Sequence, residues 1–388
     1  MTGQASRRLA MWLLLLVLLA AFIEGCSALT VWAIKNSTSR FLVWGPDVAQ
    51  LPTIWAKSAG EWDDEVGWPS PREATAPPRD RSGAKLNPDF LEPGHACASA
   101  YGDSFVWGDD VGLNDGWIEQ LSRLVGCRVA NYGVSGYGTD QALVRFRRLT
   151  SDEAPVAMLG IFPENIIRNV NQYRPFFGFT IDPHWLKGRF VLDGSGALTW
   201  IERPRIDLSG FIALNREPAR IVPREYFLPD TRDGPVTARF PYTLSLARIA
   251  MMPRVWTRLT GRPSWAEFYA ADHPSGAFRL TVAIAQAFAR EARLRGRKPL
   301  IVMLPGASSF RAREKFGAFE YAPLVETLSA RKIDVFDTGP ALLAALGTRS
   351  PCEMYAFPAA CSGHFGVAGG GMLAQVVAAE LKQRRWIK

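Results

Sequence analysis

Ala96-Cys97-Ala98-Ser99-Ala100-Tyr101-Gly102-Asp103-Ser104-Phe105 decides the fold. Residues 96–101 are small or apolar and bounded by a Gly-Asp-Ser turn, which reads as a short buried strand. A helical pattern follows over 115–125. Strand, tight turn and helix in that order lift a serine hydroxyl to the carboxyl edge of a parallel sheet, where α/β proteins hold their ligands. Taken alone, the tripeptide is a weak signal and reads better as an Asp or Ser capping a surface helix. The rest of the chain has to decide.

The same rhythm recurs downstream. A strand over 128–132 runs into Gly133-Val134-Ser135-Gly136-Tyr137-Gly138, and a helix over 139–149 follows, with Thr139 and Asp140 suited to its first turn. A third strand over 156–161 ends at Phe162-Pro163-Glu164-Asn165. The rhythm resumes with a helix over 276–293, a strand over 299–304, a helix over 321–330, a strand over 333–336 and a last helix over 368–383. Alternating strands and helices predict an α/β, doubly wound, mainly parallel sheet in a flavodoxin-like three-layer sandwich over 96–388. Residues 172–275 break the pattern. A hairpin about Asp193-Gly194-Ser195-Gly196 stands in a Pro-, Arg- and aromatic-rich stretch too long for a simple loop, so an inserted cap beside the active edge is expected. Residues 36–95, proline-rich from Trp68 onward, read as an extended arm.

The N-terminus supplies the compartment. Ser6-Arg7-Arg8 precedes an apolar run over 9–23. Glu24 interrupts it, and 28–34 is apolar again. Residues 1–35 are long enough to cross a bilayer, and the arginine pair places the N-terminus on the cytoplasmic side. The expected location is a bacterial inner membrane, single-pass, with the main domain on the periplasmic side. A cleaved signal peptide remains open; a lipoprotein at Cys26 is disfavoured by Glu24. Export makes cysteines disulfide-competent. Cys97 stands six residues before Asp103 and Cys127 six before Gly133, so on neighbouring parallel strands they sit level. One bridge is expected there and a second between Cys352 and Cys361. The alternative is four buried thiols.

The chain has 388 residues, 48% of them hydrophobic, enough for a large core. Its net charge is +8, but the basic residues are scattered and no basic run interleaves with aromatics, which argues against a nucleic-acid partner. No cysteine–histidine spacing suits a metal. Neither metal nor cofactor is implied.

Compared side by side, the strand ends and the last helix carry what acyl transfer needs. Ser104 is a nucleophile, His364 a base, and the backbone N–H groups of Ser104 and Gly136 with the Asn165 amide are oxyanion donors. Asp103 reads as a structural residue of the turn. His95, His184 and His273 have no evident partners. The set resembles the SGNH hydrolases, the GDSL-type esterases and lipases. Gly102-Asp103-Ser104-Phe105 with Gly108 resembles their first block and Asn131 to Thr139 their second. Glu164-Asn165 resembles the third, and His364-Phe365 with Gly369 the last. Asp64-Glu65-Val66-Gly67-Trp68, the anchor and the insertion are similar to membrane-anchored bacterial members. The resemblance implies hydrolysis of an ester, an O-acyl group of an envelope or secreted carbohydrate or a lipid. The alternatives are a polysaccharide O-acetyltransferase using the same site and a catalytically impaired binding module. One departure stands out. The acidic residue that the family usually carries just before the histidine is replaced by Cys361 and Ser362, leaving a backbone carbonyl, Asp337 or Glu353 to orient His364.

Overall fold

The structure is a computed structural model that describes residues 2–37, 40–58, 60–91 and 95–387. Five parallel strands form its main sheet: β1 Ala98–Tyr101, β2 Val129–Asn131, β3 Val156–Ile161, β4 Lys298–Met303 and β5 Val335–Asp337. Their order is β2-β1-β3-β4-β5. All residues of β1 and β3 are buried, as expected of parallel strands covered on both faces. Helices Trp117–Val125, Thr338–Leu346 and Val367–Gln383 pack together on one face, and Thr139–Arg148, Ala277–Leu294 and Ala322–Ala330 on the other. The doubly wound α/β sandwich is therefore present.

This order sets the location of a site. The chain leaves β1 toward β2 and returns across it to β3, so the order reverses between β1 and β3. Connections diverge there and leave a crevice outside the carboxyl ends. The other end of the sheet is stapled by the Cys97–Cys127 disulfide, with Cα atoms 6.1 Å apart. The Cys352–Cys361 disulfide is formed as well.

The chain divides into two compact units, cut differently from the expected anchor, arm and cap. The first runs to Lys57 and adds Tyr173–Trp185 and Ile206–Trp256. The second holds Ser58–Gln172, Leu186–Arg205 and the chain from Thr257 onward. Residues 172–275 are thus shared out. The hairpin Arg189–Leu192 with Leu198–Ile201 belongs to the sheet unit, and Ile206–Trp256 goes with the N-terminal helix Thr2–Lys35. The arm is not free surface chain either. From Ser58 on it packs into the sheet unit, burying Val66, Trp68 and Ala84 because these apolar side chains gain by leaving water. Lys85 is buried too, against Glu119 at 3.5 Å.

Within the first unit, Val43–Trp44 pairs in parallel with Val236–Thr237. Val31, Leu42, Val43, Val236, Ile249 and Met252 form its apolar cluster. The N-terminal helix contributes Val31 to that cluster, while its stretch Gln4–Lys35, with mean hydropathy 2.4, is long and apolar enough to cross a membrane.

Candidate active site

All parts of the site belong to the sheet unit. β1 ends at Tyr101, and the chain turns through Gly102 into the single helical turn Ser104–Trp107. Asp103 caps that turn, its Oδ1 accepting from the Phe105 N–H at 2.9 Å. The cap sets the direction of Ser104, the first helical residue, whose N–H makes no hydrogen bond to the protein among the described residues. The second turn lies hard against it. A Cβ on Gly133 would come within 2.4 Å of the Trp107 nitrogen, so only glycine permits this approach.

His364 arrives from the other end of the chain. It sits on the short strand Ser362–Phe365, paired antiparallel with Tyr355–Phe357 and tied at its start by the Cys352–Cys361 disulfide. Its Nε2 lies 2.8 Å from Ser104 Oγ. Phe105 packs beside the imidazole, ring centroids 4.7 Å apart, and Phe162 stacks on Phe105 at 4.1 Å. This apolar wall shields one side of the serine–histidine pair.

The residue that orients the imidazole is Asp110, which inspection of the sequence did not find. Its Oδ2 lies 2.8 Å from His364 Nδ1 and accepts from the His364 backbone N–H at 3.1 Å. The carboxylate thus comes from the loop that follows Ser104. Gly108 closes the Ser104 helical turn in the left-handed conformation and Asp110 repeats that conformation two residues later at φ 68°. The two reversals fold the carboxylate back over Ser104. A side chain on Gly363, itself at φ +89°, would press to 3.1 Å from that carboxylate and 2.8 Å from the Phe357 ring. Burial pushes the Asp110 carboxyl up, but hydrogen bonds from the His364 side chain and backbone outweigh it and hold the group below its ordinary value. Neither residue named from the sequence as a substitute is near: Asp337 accepts from the Tyr321 hydroxyl and the Gly339 N–H, and Glu353 closes a capping box with Ser350. The one sequence feature that could have drawn attention to Asp110 is the Asp109-Asp110 pair just past the Ser104 turn.

Asn165 is in the site but differently employed. Its amide nitrogen donates to Asp103 Oδ2 at 2.8 Å and to the Tyr137 carbonyl at 3.4 Å, while its oxygen accepts from the Phe162 N–H. Both amide hydrogens are engaged within the protein, so the side chain braces Asp103 instead of pointing a free donor at the crevice. Arg168 completes the brace, 3.2 Å from Asp103 and 2.9 Å from both Glu164 and the Tyr137 carbonyl. Burial raises the Asp103 carboxyl above its ordinary value, against the opposing charge of Arg168 and the Asn165 hydrogen bond.

Gly136, at φ +80°, lies in the second turn as expected. That turn is fixed from two sides. The Ser135 hydroxyl donates to Asp109 at 2.7 Å, and the Trp68 indole donates to the Ser135 carbonyl at 2.9 Å. Trp68, from the supposed arm, therefore supports the site at one remove. Among the other histidines, His184 faces Asp182 and His273 faces Ser275.

Chemically, Ser104, His364 and Asp110 form an unbroken hydrogen-bonded relay. A proton leaving Oγ has an acceptor at Nε2, and the imidazolium that results has a carboxylate at Nδ1.

No protein-family model matches the sequence, and no curated protein matches it. Solved structures do match in fold. One is 15% identical, with 74% of this chain and 95% of that one covered and a TM-score of 0.36. Another is a protein assigned to the lipolytic G-D-S-L family from Desulfitobacterium hafniense DCB-2. It is 10% identical, with 73% and 97% covered and a TM-score of 0.33. The likeness is distant and concerns the fold.

Proposed function

We propose that the sheet unit is a serine ester hydrolase with Ser104 as nucleophile, His364 as general base and acid, and Asp110 holding the imidazole. The observation that carries this reading is the relay Ser104 Oγ to His364 Nε2, 2.8 Å, and His364 Nδ1 to Asp110 Oδ2, 2.8 Å. A module that had lost turnover has no need to keep both contacts.

In the proposed reaction Ser104 Oγ bonds to the ester carbonyl carbon as its proton passes to Nε2. The carbonyl oxygen takes up negative charge, for which the Ser104 and Gly136 backbone N–H groups are the proposed donors. Collapse of the intermediate breaks the carbon–oxygen bond to the alcohol, which leaves with the proton from Nε2. Water then repeats the sequence on the acyl-serine and restores the enzyme.

The N-terminal apolar helix and the two disulfides point to an extracytoplasmic location. The substrate we propose is accordingly a small O-acyl group on an envelope or secreted carbohydrate or on a lipid, met by a domain held at the periplasmic face of the bacterial inner membrane. A sugar hydroxyl in place of water would make the same acyl-serine an O-acetyltransferase intermediate. Hydrolysis of p-nitrophenyl acetate by the full-length chain in detergent tests the proposal. Ser104→Ala should abolish turnover, and equal rates for the two proteins would sink the assignment.

A further inference from the structure

We propose that the start of the helix Tyr242–Met251 is a membrane seat. In this arrangement Phe240 and Leu244 lie among the lipid tails of the leaflet on the domain's side, and Met251, Trp256 and Trp32 lie at headgroup level. This goes beyond the esterase reading and rests on a different premise, that the N-terminal helix is retained in the bilayer. Every residue involved belongs to the first unit.

The argument begins with length. A helix crosses the hydrocarbon core in about 20 residues, whereas Thr2–Lys35 has 34. Counted from Leu9, just past Arg7 and Arg8, about 20 residues reach Ala28. Glu24 therefore falls about one turn inside the core boundary. A carboxylate there is costly unless it is partnered. Its partners are the Tyr242 N–H, the Thr243 N–H at 3.0 Å and the Thr243 hydroxyl at 2.6 Å. These N–H groups belong to the first turn of the helix Tyr242–Met251, which has no side-chain cap of its own. Glu24 thus serves as that cap from another segment. The clasp fixes the start of the second helix at the depth of Glu24.

From that depth the helix runs alongside its partner. Ile249 and Met252, near its end, share a cluster with Val31, while Tyr242 begins beside Glu24. Leu244 and Met251, seven residues apart on this helix, are 49% and 69% exposed, as are Phe240 just before it, 75%, and Trp256 on the following helix Pro253–Leu259, 59%. Phe22, Leu29 and Trp32 of the N-terminal helix are exposed as well. The two helices pack together, and exposed apolar side chains gathered on such a pair call for a partner. Continuity with a membrane-crossing helix identifies the partner as lipid. Tryptophan prefers the membrane–water boundary, in keeping with Trp32 about two turns beyond Glu24 and with Trp256, whose indole donates to the Ala250 carbonyl near the far end of the clasped helix.

The test uses the full-length chain with Cys26→Ser, since Cys26 is the free cysteine among the described residues. It is reconstituted in phosphatidylcholine–phosphatidylglycerol vesicles with one nitroxide at Phe240→Cys, Leu244→Cys, Leu16→Cys or Glu217→Cys. The readout is collision with oxygen, which concentrates in lipid, against a water-soluble nickel chelate. Labels at 240 and 244 should resemble the one at 16, favouring oxygen several-fold over the label at 217, an exposed charged position of the same unit. Labels at 240 and 244 that match 217 while 16 stays lipid-like would overturn the seat and leave the anchor standing. A label at 16 that also matches 217 would overturn both. Either of the two positions suffices if the other variant misfolds.

Discussion

Asp110 and His364 meet across 254 residues of sequence, with Asp110 Oδ2 bonded to both the ring Nδ1 and the backbone N–H of His364. The contact locks the imidazole and the loop that carries it at once. It also makes the loop after Ser104, the proposed nucleophile, the source of the orienting carboxylate. Asp110→Asn keeps the shape and removes the charge and the correct acceptor. By analogy with neutralising the third residue of a serine–histidine–aspartate set, kcat should fall by about ten-thousandfold. Asp337→Asn and Glu353→Gln, assayed beside it, should leave kcat unchanged.

The lowered Asp110 carboxyl gives a pH signature. A group whose folded-state value is depressed contributes stability above its unfolded value, and that contribution is lost as pH falls through the folded one. The Tm difference between the wild type and Asp110→Asn should therefore persist as the pH is lowered to about 4 and shrink below it. A difference already gone at pH 6 would contradict the assigned contact.

Asn165 separates two roles by readout. If it braces Asp103, Asn165→Ala leaves a buried carboxylate short of a donor and should cost about 1–3 kcal/mol of stability in urea titration. An oxyanion donor would instead show itself as a loss of kcat at unchanged stability. The contacts to Asp103 and Tyr137 predict the first result.

The Cys352–Cys361 bridge closes a loop of sequence separation 9 just before His364. Loop-closure entropy puts its worth at about 2–3 kcal/mol. The double variant Cys352→Ser/Cys361→Ser should lower Tm and reduce kcat, because the strand carrying His364 loses its tether. Unchanged activity would show that the Asp110 contact alone holds the histidine.

The sheet was readable because its first four strands are short apolar runs stopped by a glycine or proline turn; the Cys97–Cys127 disulfide followed from the level placement of its cysteines, and Cys352–Cys361 from the short loop they close before His364. Ser104 and His364 were readable for the same reason: each falls at the end of a strand or just before a helix. Asp110 was not, because its reach to His364 depends on two left-handed residues, Gly108 and Asp110, whose conformations the residue types permit but do not dictate. The first unit was hidden for another reason. It is assembled from three separated segments joined by a two-residue ladder, Val43 with Val236 and Trp44 with Thr237, too short to leave a period in the sequence. Glu24 looked like an interruption of the anchor because its partners lie 218 and 219 residues away.

The account turns on an activated Ser104 hydroxyl. Intact-mass and peptide analysis of the full-length chain after exposure to a fluorophosphonate tests it most directly. One adduct on the peptide containing Ser104, lost in His364→Ala and strongly slowed in Asp110→Asn, is the predicted result. No adduct on the folded wild type, or one on a different serine, would contradict it.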